Sequence, residues 1–90
     1  MEFIREENAY RKYDEKGNMI AEITFPDVDK TTWEITHTFV DKSLAGQGIA
    51  AKLTEQVCDA ARKEGKKLTL SCSYAKKWFE KNESQKDLLI

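Results

Sequence analysis

Two glycines one residue apart, Gly46 and Gly48, stand where an alternating apolar run gives way to a run with spacings of three and four, and Lys52 follows one helical turn later. A strand ending in such a loop before a helix turns bare backbone amides toward one point, where the helix dipole adds partial positive charge. The chemistry this suits is the holding of a phosphate or pyrophosphate, because a Cβ at either glycine would obstruct both the turn and the approach of the anion. The same glycines also suit a plain tight connection. The spacing fits neither a Walker loop, which needs a lysine followed by serine or threonine, nor a dinucleotide fingerprint, which needs a third glycine and a later acidic residue.

Three side chains offer proton or acyl chemistry. Cys72 falls at a strand end just before a helix and near Lys76 and Lys77, a setting that favours a thiolate, although its alternation with Leu68 and Leu70 equally suits a small core residue. His37 is the one histidine, the side-chain type suited to accept a proton in this chemistry; its neighbours on one face, Trp33, Ile35 and Phe39, equally suit a core histidine. Tyr74 and Trp78 lie four apart and present either a functional phenol or a packing face. Cys58, in mid-helix between Val57 and Asp59, reads as structural. One histidine and two distant cysteines are too few soft ligands for a zinc site.

The elements that must position these groups follow from periodicity. Tyr10 to Tyr13 and Met19 to Phe25 read as a hairpin around the turn cluster Asp14–Asn18, with Ala21, Ile23 and Phe25 on one face. Pro26 and Asp27 break that ladder, and a loop runs through Lys30. Thr32 to Val40 alternates as one continuous strand. Gln47 to about Glu64 carries Ala50, Leu53, Val57, Ala60 and Ala61 as an amphipathic stripe, closed by Gly65 with Arg62 and Lys63 at the negative end of the dipole. Leu68 to Cys72 fits a short strand, and Ser73 fits the cap of a last helix. The tail ends in Leu88, Leu89 and Ile90, which suit packing back or meeting a partner. The order predicts an α+β (mixed α/β) fold around a mostly antiparallel sheet.

Composition narrows the functional classes. Ninety residues, 40% hydrophobic and 34% charged with four glycines and one proline, predict one globular domain spanning 1–90. The net charge of −1 is not the footprint of a general nucleic-acid binder. It is unevenly spread, however: residues 1–45 hold six basic and ten acidic side chains, and residues 46–90 hold nine and six. The apolar runs are far too short for a membrane span or a signal peptide, which together with free cysteines points to a cytoplasmic protein.

The run Leu44-Ala45-Gly46-Gln47-Gly48-Ile49-Ala50 resembles the pyrophosphate motif of the GNAT acetyltransferases, Gln/Arg-x-x-Gly-x-Gly/Ala, and like it follows a strand. Gly48 and Ala50 match, and Ala45 stands where Arg or Gln is usual. Thr36–Asp41 and Cys72–Phe79 further resemble a small single-domain GNAT-like subfamily, over roughly residues 10–81. The resemblance implies a minimal GNAT-like fold and acetyl-CoA as cosubstrate, without a metal. It places pyrophosphate on the amides of Gly46, Gln47, Gly48, Ile49 and Ala50, with Ala51 and Lys52 also at the cofactor and pantetheine along the strand edge at Phe39 and Val40. It implies acetyl transfer to an unidentified amine, with Tyr74 as general acid toward the departing thiolate. His37 and Cys72 are expected to pair beside the acetyl group, Cys72 either relaying it or standing by while transfer is direct. Larger members shape the acceptor site with additional N-terminal helices, so here that wall is expected to be absent or supplied by another molecule. The alternative the resemblance leaves open is a non-catalytic module that binds or senses CoA.

Overall fold

The computed structural model describes residues 2–90 and runs β1 (Ile4–Arg5), β2 (Ala9–Tyr13), β3 (Met19–Thr24), β4 (Asp27–Asp29), β5 (Thr32–Ile35), β6 (His37–Val40), α1 (Ile49–Glu64), β7 (Lys67–Leu70) and α2 (Ser73–Lys81), with 3₁₀ turns at Lys42–Leu44 and Glu83–Leu88. Among the described residues the strands form two sheets. One is antiparallel in the order β1-β2-β3-β6; the other has the order β4-β5-β7, with β4 antiparallel and β7 parallel to β5. This is the mixed α+β architecture predicted, a mostly antiparallel sheet carrying one long helix and a shorter C-terminal one. The region after Pro26, expected to be a loop, holds the short edge strand β4. No described helix is long and apolar enough to cross a membrane.

The run predicted as one strand, Thr32 to Val40, is two. Its first half belongs to one sheet and its second half to the other, and the transfer happens at Thr36. The Thr36 amide donates to the Thr24 carbonyl in β3 (3.1 Å), while the Ile35 carbonyl accepts from the amides of Ser71 and Cys72 (3.1 and 3.2 Å). The crossing also shifts parity. Trp33 and Ile35 are buried in β5, but in β6 it is Thr38 that lies opposite buried Ile23, whereas His37 and Phe39 lie opposite Thr24 and Glu22. Strand side chains alternate faces, so a slip of one residue turns a set of side chains over. His37 is therefore not on the buried face of Trp33 and Ile35, as strict alternation would have it; it faces outward, with Phe39.

The inner faces of both sheets close on α1. Ile49, Leu53, Val57, Cys58 and Ala61 of the helix are buried with Ala21 and Ile23 of β3, Phe25 just after it, Trp33 and Ile35 of β5, and Leu68 of β7. A fully buried Leu53 or Ile23 contributes about 1.5–3 kcal/mol relative to an exposed one. Ile49 takes the buried place predicted for Ala50, which is only half-buried, because Ile49 shares the face of Leu53 and Val57 at spacings of four; the helix begins at Ile49 rather than Gln47. The tail packs back: Leu88 is buried, Leu89 bridges Leu68, and the Ile90 amide donates to the Leu68 carbonyl (3.2 Å). Arg62 holds this turn in place through both Asp87 carboxylate oxygens (2.8 Å each).

Candidate functional site

Three structural features converge where β6 runs into α1. The first is the entry of the helix. Gly48 is its N-cap at φ 67°, and Gly46 has φ 80°, both in the left-handed region that a β-carbon disfavours. The first intrahelical bond runs from the Lys52 amide to the Gly48 carbonyl (3.1 Å), which leaves the amides of Ile49, Ala50 and Ala51 without a helical acceptor. Gly48 supplies no side-chain cap, and the first turn has no acidic residue to compete for those amides. An anion held there gains charge-assisted hydrogen bonds of about 1.5–3 kcal/mol each. The loop before it is braced by Asp41, whose Oδ2 accepts from the Ser43 hydroxyl (2.7 Å) and amide (3.0 Å). Those bonds hold the Asp41 carboxyl below its ordinary range.

The second feature is an open strand edge. The Asp41 amide donates to the Ile20 carbonyl (2.8 Å), so the alternation of an antiparallel ladder directs the main-chain groups of Phe39 at Glu22 of β3 as well. Thr38 and Val40 then direct theirs away from β3, into the gap opened by the departure of β5 and β7. Of the two edge positions named from sequence, Val40 has this free edge. Phe39 does not, since its amide serves the sheet and the residue, 37% exposed, lies on the outward face. Thr38, which the sequence does not single out, shares this open edge with Val40.

The third is Tyr74, in the first turn of α2. It lines one cleft of about 460 Å³ together with Val40, Leu44, Gly46, Gly48 and Ala51. Gln47 and Lys52 are exposed beside that cleft rather than in its lining. Burial, with smaller electrostatic contributions from its neighbours, pushes the Tyr74 phenol above its ordinary range, so it keeps its proton at neutral pH. A somewhat larger hollow, about 560 Å³, lies at the β2–β3 turn around Lys12, Asp14 and Lys16. Its lining holds no residue of a helix.

Cys72 and His37 are not brought together. Cys72 is half-buried, with its Sγ 3.6 Å from the Thr38 hydroxyl on the inner side of β6. His37 is one residue earlier on the opposite face, its side chain 58% exposed and its Nε2 3.5 Å from Glu22 Oε1. Adjacent residues of a strand cannot share a face, which is why the expected His37–Cys72 pair does not form. Ser73, expected to cap α2, is its first helical residue; Cys72 is the N-cap, and its thiol makes no capping bond. Cys58 is fully buried in α1, and burial pushes its thiol up to about 12, which keeps it inert.

Residues 9–88 match the family described as GCN5-related N-acetyl-transferase. No curated protein matches the chain. Among solved structures, a GCN5-like protein from Staphylococcus aureus is 38% identical over 99% of this chain and 87% of its own, with a TM-score of 0.82. The N-acetylglutamate synthase of Neisseria gonorrhoeae, solved with coenzyme A and N-acetyl-glutamate, is 18% identical with a TM-score of 0.65, over 83% of this chain and 18% of its own. A Mycobacterium tuberculosis protein solved in complex with CoA is 15% identical with a TM-score of 0.66, over 84% and 47%. These last two are likenesses of fold.

Proposed function

The chain belongs to the GCN5-related N-acetyltransferase family, and from that premise we propose that it binds acetyl-CoA in the cleft between β6 and α1 and passes the acetyl group directly to a primary amine. The observation that carries this reading is the joining of three parts in one cleft: unpaired amides at the start of α1, the free edge at Val40, and the protonated phenol of Tyr74. The amides of Ile49 to Ala51 suit the pyrophosphate, and the main-chain groups of Thr38 and Val40 suit the amide-bearing pantetheine arm. Two fold neighbours solved with coenzyme A support the same ligand class.

In the transfer the amine nitrogen bonds to the acetyl carbon and the carbon–sulfur bond breaks. Tyr74 gives its proton to the departing thiolate, and His37, on the other side of β6, takes the proton released by the amine. Cys72 stands outside this path. Its thiol is half-buried against Thr38, and the imidazole that would have to activate it is on the opposite face of the strand.

Titration of isotope-labelled protein with acetyl-CoA, followed by release of free thiol in the presence of a panel of primary amines, tests the proposal. Saturable amide shifts at 38–52 with amine-dependent thiol release support it, and the Cys72→Ala variant is expected to retain transfer. No shifts at millimolar acetyl-CoA would overturn the ligand. Binding without thiol release for any amine would return the protein to a CoA-binding module, and an acetyl mass lost only in Cys72→Ala would restore the relay.

A further inference from the structure

The outward face of the four-stranded sheet carries a chain of ionic contacts that runs strand by strand toward β6. The Tyr13 hydroxyl donates to Glu6 Oε1 (2.7 Å), Arg11 Nη1 reaches the same oxygen (2.9 Å), and Arg11 Nε donates to Glu22 Oε2 (2.6 Å). The other Glu22 oxygen, Oε1, faces His37 Nε2 at 3.5 Å. Arg11, Glu22 and Phe39 are register partners in one row across the sheet, and His37 lies diagonally beside Glu22 on the same face. The Glu22 side chain is only 13% exposed, whereas the imidazole is 58% exposed. A carboxylate as enclosed as Glu22 recovers its desolvation cost only through tight pairing, and solubility alone would be met by any polar residue at position 22.

The consequence is orientational. Arg11 pins one oxygen of Glu22 and thereby fixes the direction of the other. That oxygen lies 3.5 Å from Nε2 of His37, so of the two ring nitrogens it is Nε2 that the carboxylate faces. A histidine whose one nitrogen is claimed by a carboxylate has a defined tautomer and ring direction, and its second nitrogen is the available base. His37 is also the first residue after the strand break at Thr36, next to the open edge of Thr38 and Val40, but on the side away from the cleft that Tyr74 lines. The facing groups are Glu22 of β3 and, beyond it, Arg11 and Tyr13 of β2 and Glu6 of the β1–β2 turn; β6 itself adds Phe39.

We propose that Glu22, held by Arg11, is a positioning residue that turns His37 Nδ1 toward an acceptor amine arriving over the outward face of the sheet. This rests on the transfer reading above and assigns the acceptor its side of β6. The atoms balance: the new nitrogen–carbon bond releases an amine proton to Nδ1, the broken carbon–sulfur bond leaves a thiolate that takes the Tyr74 proton, and exchange with water restores both side chains.

The test has two readouts, one of which needs no ligand. Long-range proton–nitrogen spectra of the imidazole, recorded where it is neutral, are expected to show one tautomer, protonated at Nε2, in the parent protein and a mixture in Glu22→Leu. Glu22→Gln retains an oxygen acceptor and is expected to restore the single tautomer. Arg11→Met frees the carboxylate without touching His37, shifts the balance in the same direction, and serves if Glu22→Leu fails to fold. In turnover with ethanolamine, putrescine and lysine methyl ester as probe amines, Glu22→Leu is expected to lower kcat about 10-fold or more, with Glu22→Gln recovering most of it. Acetyl-CoA affinity by calorimetry stays within 2-fold. An unchanged tautomer, or a changed tautomer with unchanged kcat, overturns the positioning role while leaving the transfer reading intact. A parent protein that binds acetyl-CoA yet acetylates none of the three amines counts against both, and one that does not bind it at all removes the transfer reading by itself.

Discussion

Replacing Gly48 by alanine separates the anion cradle from the stability of the helix that carries it. At φ 67° a residue with a β-carbon is strained by about 1–2 kcal/mol, and no atom lies within 4 Å of the β-carbon that alanine would add, so strain is the whole penalty. Gly65, the C-cap of the same helix, has φ 70° and equally open surroundings. Gly65→Ala is therefore a matched control with the same expected loss of about 1–2 kcal/mol. The two variants differ in what surrounds them. Relief of strain at Gly48 rotates the free amides of Ile49 to Ala51, whereas relief at Gly65 moves the far end of α1, next to Lys66. Loss of one charge-assisted bond to a phosphate, about 1.5–3 kcal/mol, weakens CoA binding about 10-fold or more. Urea unfolding followed by the fluorescence of buried Trp33 and Trp78 measures the first quantity, and calorimetry with CoA measures the second. Equal destabilisation with affinity lost only in Gly48→Ala is the expected result. Unaltered CoA affinity in Gly48→Ala would refute the placement of the anion, and an equal affinity loss in both variants would reduce the effect to general destabilisation.

Tyr74→Phe removes the proton donor while keeping the ring, and is expected to lower kcat about 100-fold or more with CoA affinity unchanged; a kcat within 3-fold of the parent would remove Tyr74 from the proton path. Arg5 places its guanidinium 5.2–5.5 Å from the ring centroids of Tyr10, Phe25 and Trp33 and meets Glu64 at 2.8 Å. Both partners of that ion pair are more than a third exposed, so Arg5→Met is expected to cost about 1–2 kcal/mol in urea unfolding, most of it from the rings, and to be insensitive to salt. Hydrogen bonds hold the carboxyls of Glu6, Asp14, Asp29, Asp41, Glu64 and Asp87 below their ordinary values. The unfolded chain then binds more protons than the folded one as pH falls below about 4.5, so stability declines from there through the lower folded values. Urea midpoints at pH 7, 4 and 3 check it, and an unchanged midpoint at pH 3 would contradict it.

Local rules made most of this fold legible in the sequence. The Asp14–Asn18 turn, the inward face of Ala21, Ile23 and Phe25, and the stripe of Leu53, Val57, Ala60 and Ala61 were all readable from spacing, because each depends on residues within a few positions of one another. The glycine loop was readable for the same reason: a strand, Gly46-x-Gly48 and a helix are contiguous. The Thr36 slip was not. Nothing in Ile35-Thr36-His37-Thr38-Phe39 distinguishes a straight strand from one that changes sheets, since four of the five residues favour extended backbone. What breaks the run is non-local, with Thr24 claiming the Thr36 amide from one side and Ser71 and Cys72 claiming the Ile35 carbonyl from the other. That one-residue shift decides the candidate chemistry. It puts Thr38 beside Cys72, gives the open edge to Thr38 and Val40, and sends His37 to the outward face, where Glu22 lies. A reading that alternates through position 36 pairs the histidine with the cysteine; the folded chain pairs it with a carboxylate 15 residues earlier, on a strand whose register no local rule supplies.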